Sequence, residues 1–149
     1  MTLFDTIKEQ LGCMIKDTKL HNEKRIYITV DKQDIKECAD IIFHRLDGRY
    51  IIASAIDNCG SFEILYHFGF DRYGAVVSLR VFLEREKPEI SSLTDIIPGI
   101  VYIEREIWEL FGISFTGHPG LKHFLLRDDW PEGKYPLRKN ITTGGDICE

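Results

Sequence analysis

The chain has 149 residues, of which 44% are hydrophobic, so it can bury a core of ordinary size in a single domain. Its formal charge of -5 argues against nonspecific binding to nucleic acid or to an anionic membrane, because both favour a basic surface. Residues 1–12 include acidic side chains and no long apolar stretch, which excludes a signal peptide or a membrane span there and predicts a cytoplasmic chain.

Hydrophobic spacing in the N-terminal third predicts a helix, a strand and a second helix. Residues 4–11 carry apolar side chains at helical spacing, and the glycine after them would end that helix. Residues 25–30 alternate between apolar and polar side chains, as half-buried strands do. Helical spacing returns over residues 32–46 behind Asp31, a residue type that caps helix N-termini. This order predicts a strand followed by a helix that covers it.

Three further strands are predicted in the middle of the chain, over residues 50–56, 62–70 and 75–83. The turns between them are too short to join anything but antiparallel neighbours. The strand at 25–30 is separated from the next by a helix, so these two are either parallel and apart or paired through a crossover. We therefore expect an α+β domain whose four-stranded sheet is largely antiparallel or mixed and has helices on one face.

The segment before the last helix is predicted to be loop. Residues 84–87 form a charged run, Glu-Arg-Glu-Lys, which is typical of a solvated loop. Ser91 or Ser92 can cap a single turn over residues 93–97, and Pro98 suits the first position of the helix that follows. That helix is expected to end at Phe111.

The last helix is amphipathic, and Gly112 behind it suits a left-handed cap. Glu104 is the exception to its pattern, because this residue falls inside the apolar arc, where an unpaired carboxylate costs on the order of several kcal/mol. We expect Glu104 to pair with Arg127 or Arg138. The backbone amides of the turn at residues 117–120, or a protein interface, are the alternatives.

Residues 113–149 lose the helical period. Large apolar side chains continue, but glycine and proline interrupt them too often for regular structure, and basic residues outnumber acidic ones up to residue 139. A long segment of this kind usually wraps its own domain or lies on a neighbour. We therefore divide the chain into an α+β domain at residues 1–112 and an extended, partner-docking tail of the same domain at residues 113–149.

The helix and the tail together carry a spaced set of residues. They are Glu104, Arg105, Glu106, Gly112, Phe115, Gly117, His118, Pro119, Leu121, Pro136, Leu137, Arg138 and Lys139. This set resembles the signature of the 30 kDa subunit family, which comprises the C subunit of respiratory complex I (NADH:quinone oxidoreductase) and the corresponding subunits of membrane-bound energy-converting hydrogenases. With Trp108 and Arg127, these are the candidate docking residues.

The resemblance implies a non-catalytic structural subunit in the peripheral arm of a complex I-like, membrane-attached oxidoreductase. It implies that the chain packs on the large catalytic subunit and near the small iron-sulfur subunit. Those partners would hold the iron-sulfur clusters and the nickel-iron or quinone site, with no cofactor in this chain. The chain would lie on the cytoplasmic side and reach the membrane only through the complex.

Two sequence pairs depart from the commoner pattern of the quinone enzymes, namely Trp108-Glu109 and Lys134-Tyr135. The first favours an energy-converting nickel-iron hydrogenase or a related ferredoxin-linked complex, with NADH:quinone oxidoreductase as the alternative.

A hypothesis of another class is a stand-alone metal-binding enzyme that uses His118, His123 and Cys148. The two histidines do not have the one-face helical spacing of known metal motifs, and His118 beside glycine and proline is better explained as a turn residue held by backbone hydrogen bonds. The four cysteines are far apart and form no CxxC pair, so we expect reduced thiols.

Overall fold

A five-stranded mixed sheet organises the computed structural model, which describes residues 1–139. Its strands are β1 (Ile15–Asn22), β2 (Arg25–Val30), β3 (Arg49–Asp57), β4 (Ser61–Phe70) and β5 (Ala75–Glu84). They lie in the order β1-β2-β5-β4-β3, and β2 pairs with β5 in parallel while the other neighbours are antiparallel. The predicted α+β class with a mixed sheet is confirmed.

The four predicted strands are present within one residue of their expected ends, and the structure adds β1. The sequence of β1, IKDTKLHN, is mostly polar and exposed, so its hydrophobic pattern does not predict a strand. The strands β2 and β3 point in the same direction but are separated by β5 and β4, which selects the first of the two arrangements left open above.

One face of the sheet and the helices beside it form the core. The largest fully buried side chains include Ile26, Ile28, Phe62, Ile64, Tyr66, Phe68, Leu79 and Leu83 from the strands. Helix α1 (Leu3–Leu11) and helix α2 (Ile35–Asp40) add Ile7, Leu11 and Ile35 to the same cluster. Burial at alternate strand positions follows from the two-residue period of side chains along a strand.

Helix α2 starts later than predicted. Asp34, not Asp31, precedes its first residue, and the carbonyl of Asp31 accepts a hydrogen bond from the Asp34 amide in a turn. The predicted Asp31 cap is therefore wrong. A π-helical turn at Ile41–Arg45 continues α2 toward β3.

A second sheet has two parallel strands, one before and one after the last helix in the chain. It pairs β6 (Glu89–Ser91) with β7 (Ser114–Thr116), and α3 (Val101–Phe111) connects the two after a 3-10 turn at Pro98–Ile100. The predicted tail thus begins as a strand of the folded domain.

Gly112 ends α3 in the left-handed conformation predicted for it, with φ of 73°. A Cβ atom at this position would also lie 2.6 Å from the Tyr135 ring, so a larger residue would have to displace that ring. Both the backbone conformation and the close approach of the tail therefore require glycine.

The cysteines only partly meet the expectation of reduced thiols. Cys13 and Cys38 are free, whereas Cys59 is disulfide-bonded, so the prediction is wrong for Cys59. Cys148 lies outside the described residues. No helix within residues 1–139 is long and apolar enough to cross a membrane.

Candidate docking site on the last helix and the tail

Helix α3 packs its apolar side against the core sheet. Ile107 and Phe111 belong to the core cluster, and the Phe111 ring meets the Phe62 ring edge-on at 6.3 Å between centroids. On the polar side of the same helix, the tail binds Arg105 and Glu109, so the flanks of α3 have different environments.

Glu104 is fully buried, as its place in the apolar arc indicated. Its carboxylate accepts hydrogen bonds from the Ser92 hydroxyl at 2.6 Å and from the Leu93 amide at 2.8 Å. Burial raises its pKa above the usual range, and the two hydrogen bonds only partly oppose that effect.

The expected arginine partner of Glu104 is wrong. Arg127 pairs with Asp129 at the surface, and Arg138 binds backbone carbonyls at the other end of α3. The partner comes instead from the loop before the helix, which folds back onto its first turn. Sequence spacing cannot show that approach, because it depends on the pairing of β6 with β7.

Glu109 is the most strongly hydrogen-bonded side chain of the site. It is almost fully buried and accepts hydrogen bonds from three consecutive tail amides, those of Phe124 (2.9 Å), Leu125 (2.6 Å) and Leu126 (3.3 Å). The ring of His123 lies 3.4 Å from the same carboxylate. Burial acts to raise the pKa of Glu109, but these donors outweigh it and lower the pKa.

Arg105 holds the carbonyl side of the same tail segment. Its guanidinium donates to the carbonyls of Lys122 (3.2 Å) and His123 (2.7 Å) and lies 5.0 Å from the centre of the Phe124 ring. Arg105 and Glu109, one turn apart on α3, therefore bind successive acceptors and donors of one stretch of backbone.

His118 is a turn residue held by the backbone, as predicted. Its Nε2 donates to the Val101 carbonyl at 3.0 Å, and its Nδ1 accepts from the Gly120 amide at 2.9 Å. Both ring nitrogens are therefore engaged, which leaves no lone pair for a metal. Within residues 1–139, no three His, Cys, Asp or Glu side chains are grouped so as to hold a metal ion. Cys148, the third residue of the metal-binding hypothesis, lies outside the described residues.

Arg138 binds the C-terminal end of α3. Its guanidinium donates to the carbonyls of Phe111 and Gly112, where the helix macrodipole favours a cation. The rings of Phe62 and Tyr135 flank it, with centroids 5.0 and 4.6 Å away. This cation therefore closes the helix end and holds the tail against it.

Lys139 is held through its backbone. Its amide donates to the buried Asp57 carboxylate at 2.7 Å, and its carbonyl accepts from Arg85 at 2.7 Å. Arg85 also pairs with Asp57, so the prediction that residues 84–87 are all solvated is wrong for Arg85.

Apolar side chains point outward from this tightly bound tail. Tyr102 of α3 is 57% exposed, Phe124 is 43% exposed and Leu125 is 59% exposed, and the two rings lie 5.6 Å apart. We call these three residues the apolar ridge. At residues 124 and 125 the backbone of the tail faces the helix while the side chains face solvent.

The other predicted docking residues divide between core and surface. They are Glu106, Trp108, Phe115, Gly117, Pro119, Leu121, Arg127, Pro136 and Leu137. Phe115 is buried in β7 and Leu121 packs against the core, whereas Leu137 is half exposed and Arg127 is exposed. Sequence reasoning missed Asp57 and Arg85, and it predicted no partner for Glu109. Only the Trp108-Glu109 departure singled out Glu109.

Comparison with known sequences identifies the protein class to which this fold and this helix–tail arrangement belong. Residues 28–146 match the family described as the respiratory-chain NADH dehydrogenase, 30 Kd subunit. The chain belongs to this family, as its signature predicted.

Relatives named as subunits of two different oxidoreductases are similar to this chain in sequence. The chain is 30% identical over 142 residues to the C subunit of the F(420)H(2) dehydrogenase of Methanosarcina mazei, a match covering 93% of this chain and 89% of that protein. It is 41% identical over 85 residues to the C subunit of the NADH-quinone oxidoreductase of Roseiflexus sp. (strain RS-1), covering 57% of this chain and 48% of that protein. The match thus spans about half the length of the Roseiflexus protein.

Solved structures show the same fold at low sequence identity. A chain of the membrane-bound sulfane sulfur reductase, an archaeal respiratory membrane complex, superposes with a TM-score of 0.74 at 22% identity, covering 91% of this chain and 81% of that one. The trypsin-resistant fragment of Nqo5 superposes with a TM-score of 0.64 at 21% identity, covering 81% of this chain and all of the fragment.

Proposed function

We propose that this chain is a non-catalytic structural subunit in the peripheral arm of a complex I-like, membrane-attached oxidoreductase, and that it packs on the large catalytic subunit through the apolar ridge. The relatives named as C subunits of NADH-quinone oxidoreductase and of F(420)H(2) dehydrogenase support membership in such a complex. The single observation that carries the docking surface is the outward direction of Phe124 and Leu125 from a backbone bound by Glu109.

The bound backbone makes the ridge suited to docking. Burial of a large apolar side chain at an interface stabilises by about 1.5 to 3 kcal/mol. An ordering penalty normally offsets part of this gain when a loop must become fixed on binding. Because Glu109 and Arg105 already fix residues 122–126, the ridge can meet a partner with little of that penalty.

The redox centres belong to the partners under this proposal. The large subunit would carry a nickel-iron or quinone site, and the small subunit would carry iron-sulfur clusters. The chain would lie near the small subunit on the cytoplasmic side and reach the membrane only through the complex.

Two kinds of complex fit this proposal. The Trp108-Glu109 pair supports an energy-converting hydrogenase or a related ferredoxin-linked complex, and the 41% identity to the C subunit of a quinone oxidoreductase supports the other kind. Mass spectrometry of the co-purified large subunit separates them. A large subunit with paired nickel-ligating CxxC motifs is expected for the hydrogenase type, and one without them indicates the quinone enzyme.

Replacement of one ridge residue tests the docking surface. In Leu125→Glu, the complex recovered through a tag on this chain should lose most of its large subunit, while the melting temperature of the isolated chain stays unchanged. The matched control is Leu20→Glu on β1, where the leucine is 52% exposed and far along the chain from the tail. Normal recovery of the large subunit with Leu125→Glu would overturn the proposed surface.

A further inference from the structure

The two edge strands of the five-stranded sheet differ in how they are protected. At one edge, β1 carries exposed Lys16, Asp17 and Lys19 and has irregular register near both ends. Charges and bulges on an edge strand prevent it from pairing with another chain. This edge is therefore closed to strand addition.

The other edge carries no charge over its central length, and its one register irregularity lies at its start, between Tyr50 and Ile52. Between Arg49 and Asp57, β3 has the sequence YIIASAI, which contains no charge, no proline and no glycine. Ile51, Ile52 and Ile56 are each more than 40% exposed. The flanking Arg49 and Asp57 are already paired within the chain, with Asp71 and Arg85. A long apolar edge of this type aggregates unless another segment covers it.

The pairing register shows which backbone groups face this open edge. The Asn58 amide donates to the Ser61 carbonyl, so residues 58 and 61 form a hydrogen-bonded pair. Such pairs alternate with non-bonded ones along an antiparallel ladder, which makes Ile56 opposite Glu63 a bonded pair and Ala55 opposite Ile64 a non-bonded one. The amide and carbonyl of Ala55 therefore point away from β4, as do those of Ala53.

A groove lies along the same edge. It has a volume of about 280 Å³ and runs between residues 52–55 of β3 and the flank of α3 that bears Ile103, Glu106 and Leu110. Leu137 of the tail also lines it. Within residues 1–139, β3 has no strand partner other than β4.

We infer that an extended apolar segment of another subunit of the complex adds to β3 as a sixth strand and places a basic side chain opposite Glu106. This inference rests on the proposed function only in taking the partner from the same complex. An extended segment fits because its backbone can satisfy the outward groups of Ala53 and Ala55, whereas the backbone groups of a helix are bonded internally. The apolar groove takes alternate side chains of the added strand.

Charge argues against a second copy of this chain as the occupant. Two copies joined through β3 would bring their α3 helices to the same groove, and each helix would place a Glu106 carboxylate there. Like charges in a shared groove disfavour that contact. A partner strand with lysine or arginine at this point has no such conflict.

Amide exchange at two neighbouring residues tests the inference. In the isolated chain, the Ala55 amide should exchange quickly and the Ile56 amide slowly, since only Ile56 is bonded to β4. In the intact purified complex, the Ala55 amide should slow by about 100-fold or more while Ile56 changes little. Equal exchange of Ala55 in the two samples would overturn the inference, even if the subunit is fully assembled.

A photo-crosslinking side chain placed at residue 52 identifies the occupant in the intact complex. Position 20 on β1 is the matched control, because Ile52 and Leu20 are 47% and 52% exposed. We expect a crosslink from position 52, but not from position 20, to one extended peptide of a co-purifying subunit. A crosslink from position 52 only to a second copy of this chain, or to none, would contradict it.

Two further variants separate strand addition from simple apolar contact. Ala55→Pro removes an outward amide and leaves the ladder to β4 intact, so it should reduce assembly as strongly as Ile52→Lys. Leu20→Lys should assemble normally. Assembly could instead be lost in Ile52→Lys and retained in Ala55→Pro, with the melting temperature of Ala55→Pro unchanged. That result would indicate side-chain contact without an added strand and would refute the proposal. The proposed function fails separately, if the large subunit does not co-purify with the unmodified chain.

Discussion

Two buried glutamates on α3 respond to burial in opposite ways. The pKa of Glu104 is raised and that of Glu109 is lowered, although burial acts in the same direction on both. Glu104 receives one amide and one hydroxyl, whereas Glu109 receives three amides and lies beside a histidine. Burial is deeper around Glu104 and donors are more numerous around Glu109, and the balance of these two effects decides whether the charged form is favoured.

The helix macrodipole opposes both pKa shifts, the rise at Glu104 and the fall at Glu109, but does not reverse either. Glu104 lies in the first turn of α3, where negative charge is favoured, and Glu109 lies near the last turn, where it is disfavoured. The dipole contributes about 0.3 to 1 kcal/mol per charge, while each hydrogen bond to a charged group contributes about 1.5 to 3 kcal/mol. Three amide donors are enough to reverse the preference of the helix.

The two carboxylates also hold different parts of the molecule. Glu104 ties the loop at residues 92–94 to the helix inside the core, so its role is in the fold. Glu109 holds the tail that presents the apolar ridge, so its role is in the surface. Substitutions should separate these roles.

The largest effect is expected from Glu104→Ala. It leaves the Leu93 amide and the Ser92 hydroxyl without their acceptor in a fully buried site and opens a small cavity, so the free energy of unfolding should fall by about 3 kcal/mol. Urea unfolding of the isolated chain measures it. A loss below about 1 kcal/mol would mean that the loop finds other partners and that Glu104 does not hold it.

A smaller loss, about 2 kcal/mol, is expected for Glu109→Ala, because the tail amides lie near the surface and can bind water instead. The loss should be local, with faster amide exchange at residues 124–126 and unchanged exchange in the core strands. Glu106→Ala is the control, since it removes a carboxylate from the same helix without taking an acceptor from the tail. Equal effects of the two variants would show that helix charge, not tail binding, is what matters.

Much of the fold was predictable because its signals are local. The strands at residues 25–30, 50–56, 62–70 and 75–83 have alternating or continuous apolar patterns and short turns, and Gly112 marks the helix end. The exceptions are the short strands β6 and β7, which lie in segments predicted to be irregular, and β1, an exposed edge strand whose polar sequence carries no such pattern.

The site was less predictable because its contacts join distant segments. The burial of Glu104 follows from helical spacing, but its partner in the loop at residues 92–94 depends on how β6 and β7 pair. Glu109 lies on the polar face of the helix, and only the path of the tail buries it. The pairing of Asp57 with Arg85 likewise joins a strand end to a run of charges that looks solvated.

Arg138 and Lys139 are adjacent basic residues at the end of the tail, and their side chains should contribute unequally to stability. Arg138→Ala removes the cation from the end of α3 and its contacts with two rings, so it should reduce the free energy of unfolding by about 1 kcal/mol. Lys139→Ala should change it by less than about 0.5 kcal/mol, because only the backbone of Lys139 is bound. Thermal unfolding of both variants measures this, and equal losses would refute the assignment.

The smallest effect is expected when each glutamate is changed to glutamine, which keeps the side-chain shape. The stability of the two variants relative to wild type should then change with pH in opposite directions. The ordinary glutamate pKa is 4.5. Because the folded pKa of Glu109 is lower, the stability that its charge provides is complete above pH 4.5 and is lost as pH falls through the folded value. The disadvantage of Glu109→Gln relative to wild type should therefore grow with rising pH below 4.5 and then stay constant.

For Glu104 the folded pKa is higher, so the stability it provides is complete below pH 4.5 and is lost as pH rises through the folded value. Glu104→Gln should therefore gain on wild type as pH rises above 4.5, and at neutral pH it should unfold within about 1 kcal/mol of wild type, since no arginine loses its anion. Urea unfolding midpoints of the three proteins across this pH range measure both trends. Parallel curves for the two variants would mean that the donors around Glu109 do not stabilise its charge any better than the two around Glu104, and would refute the contrast between the two carboxylates.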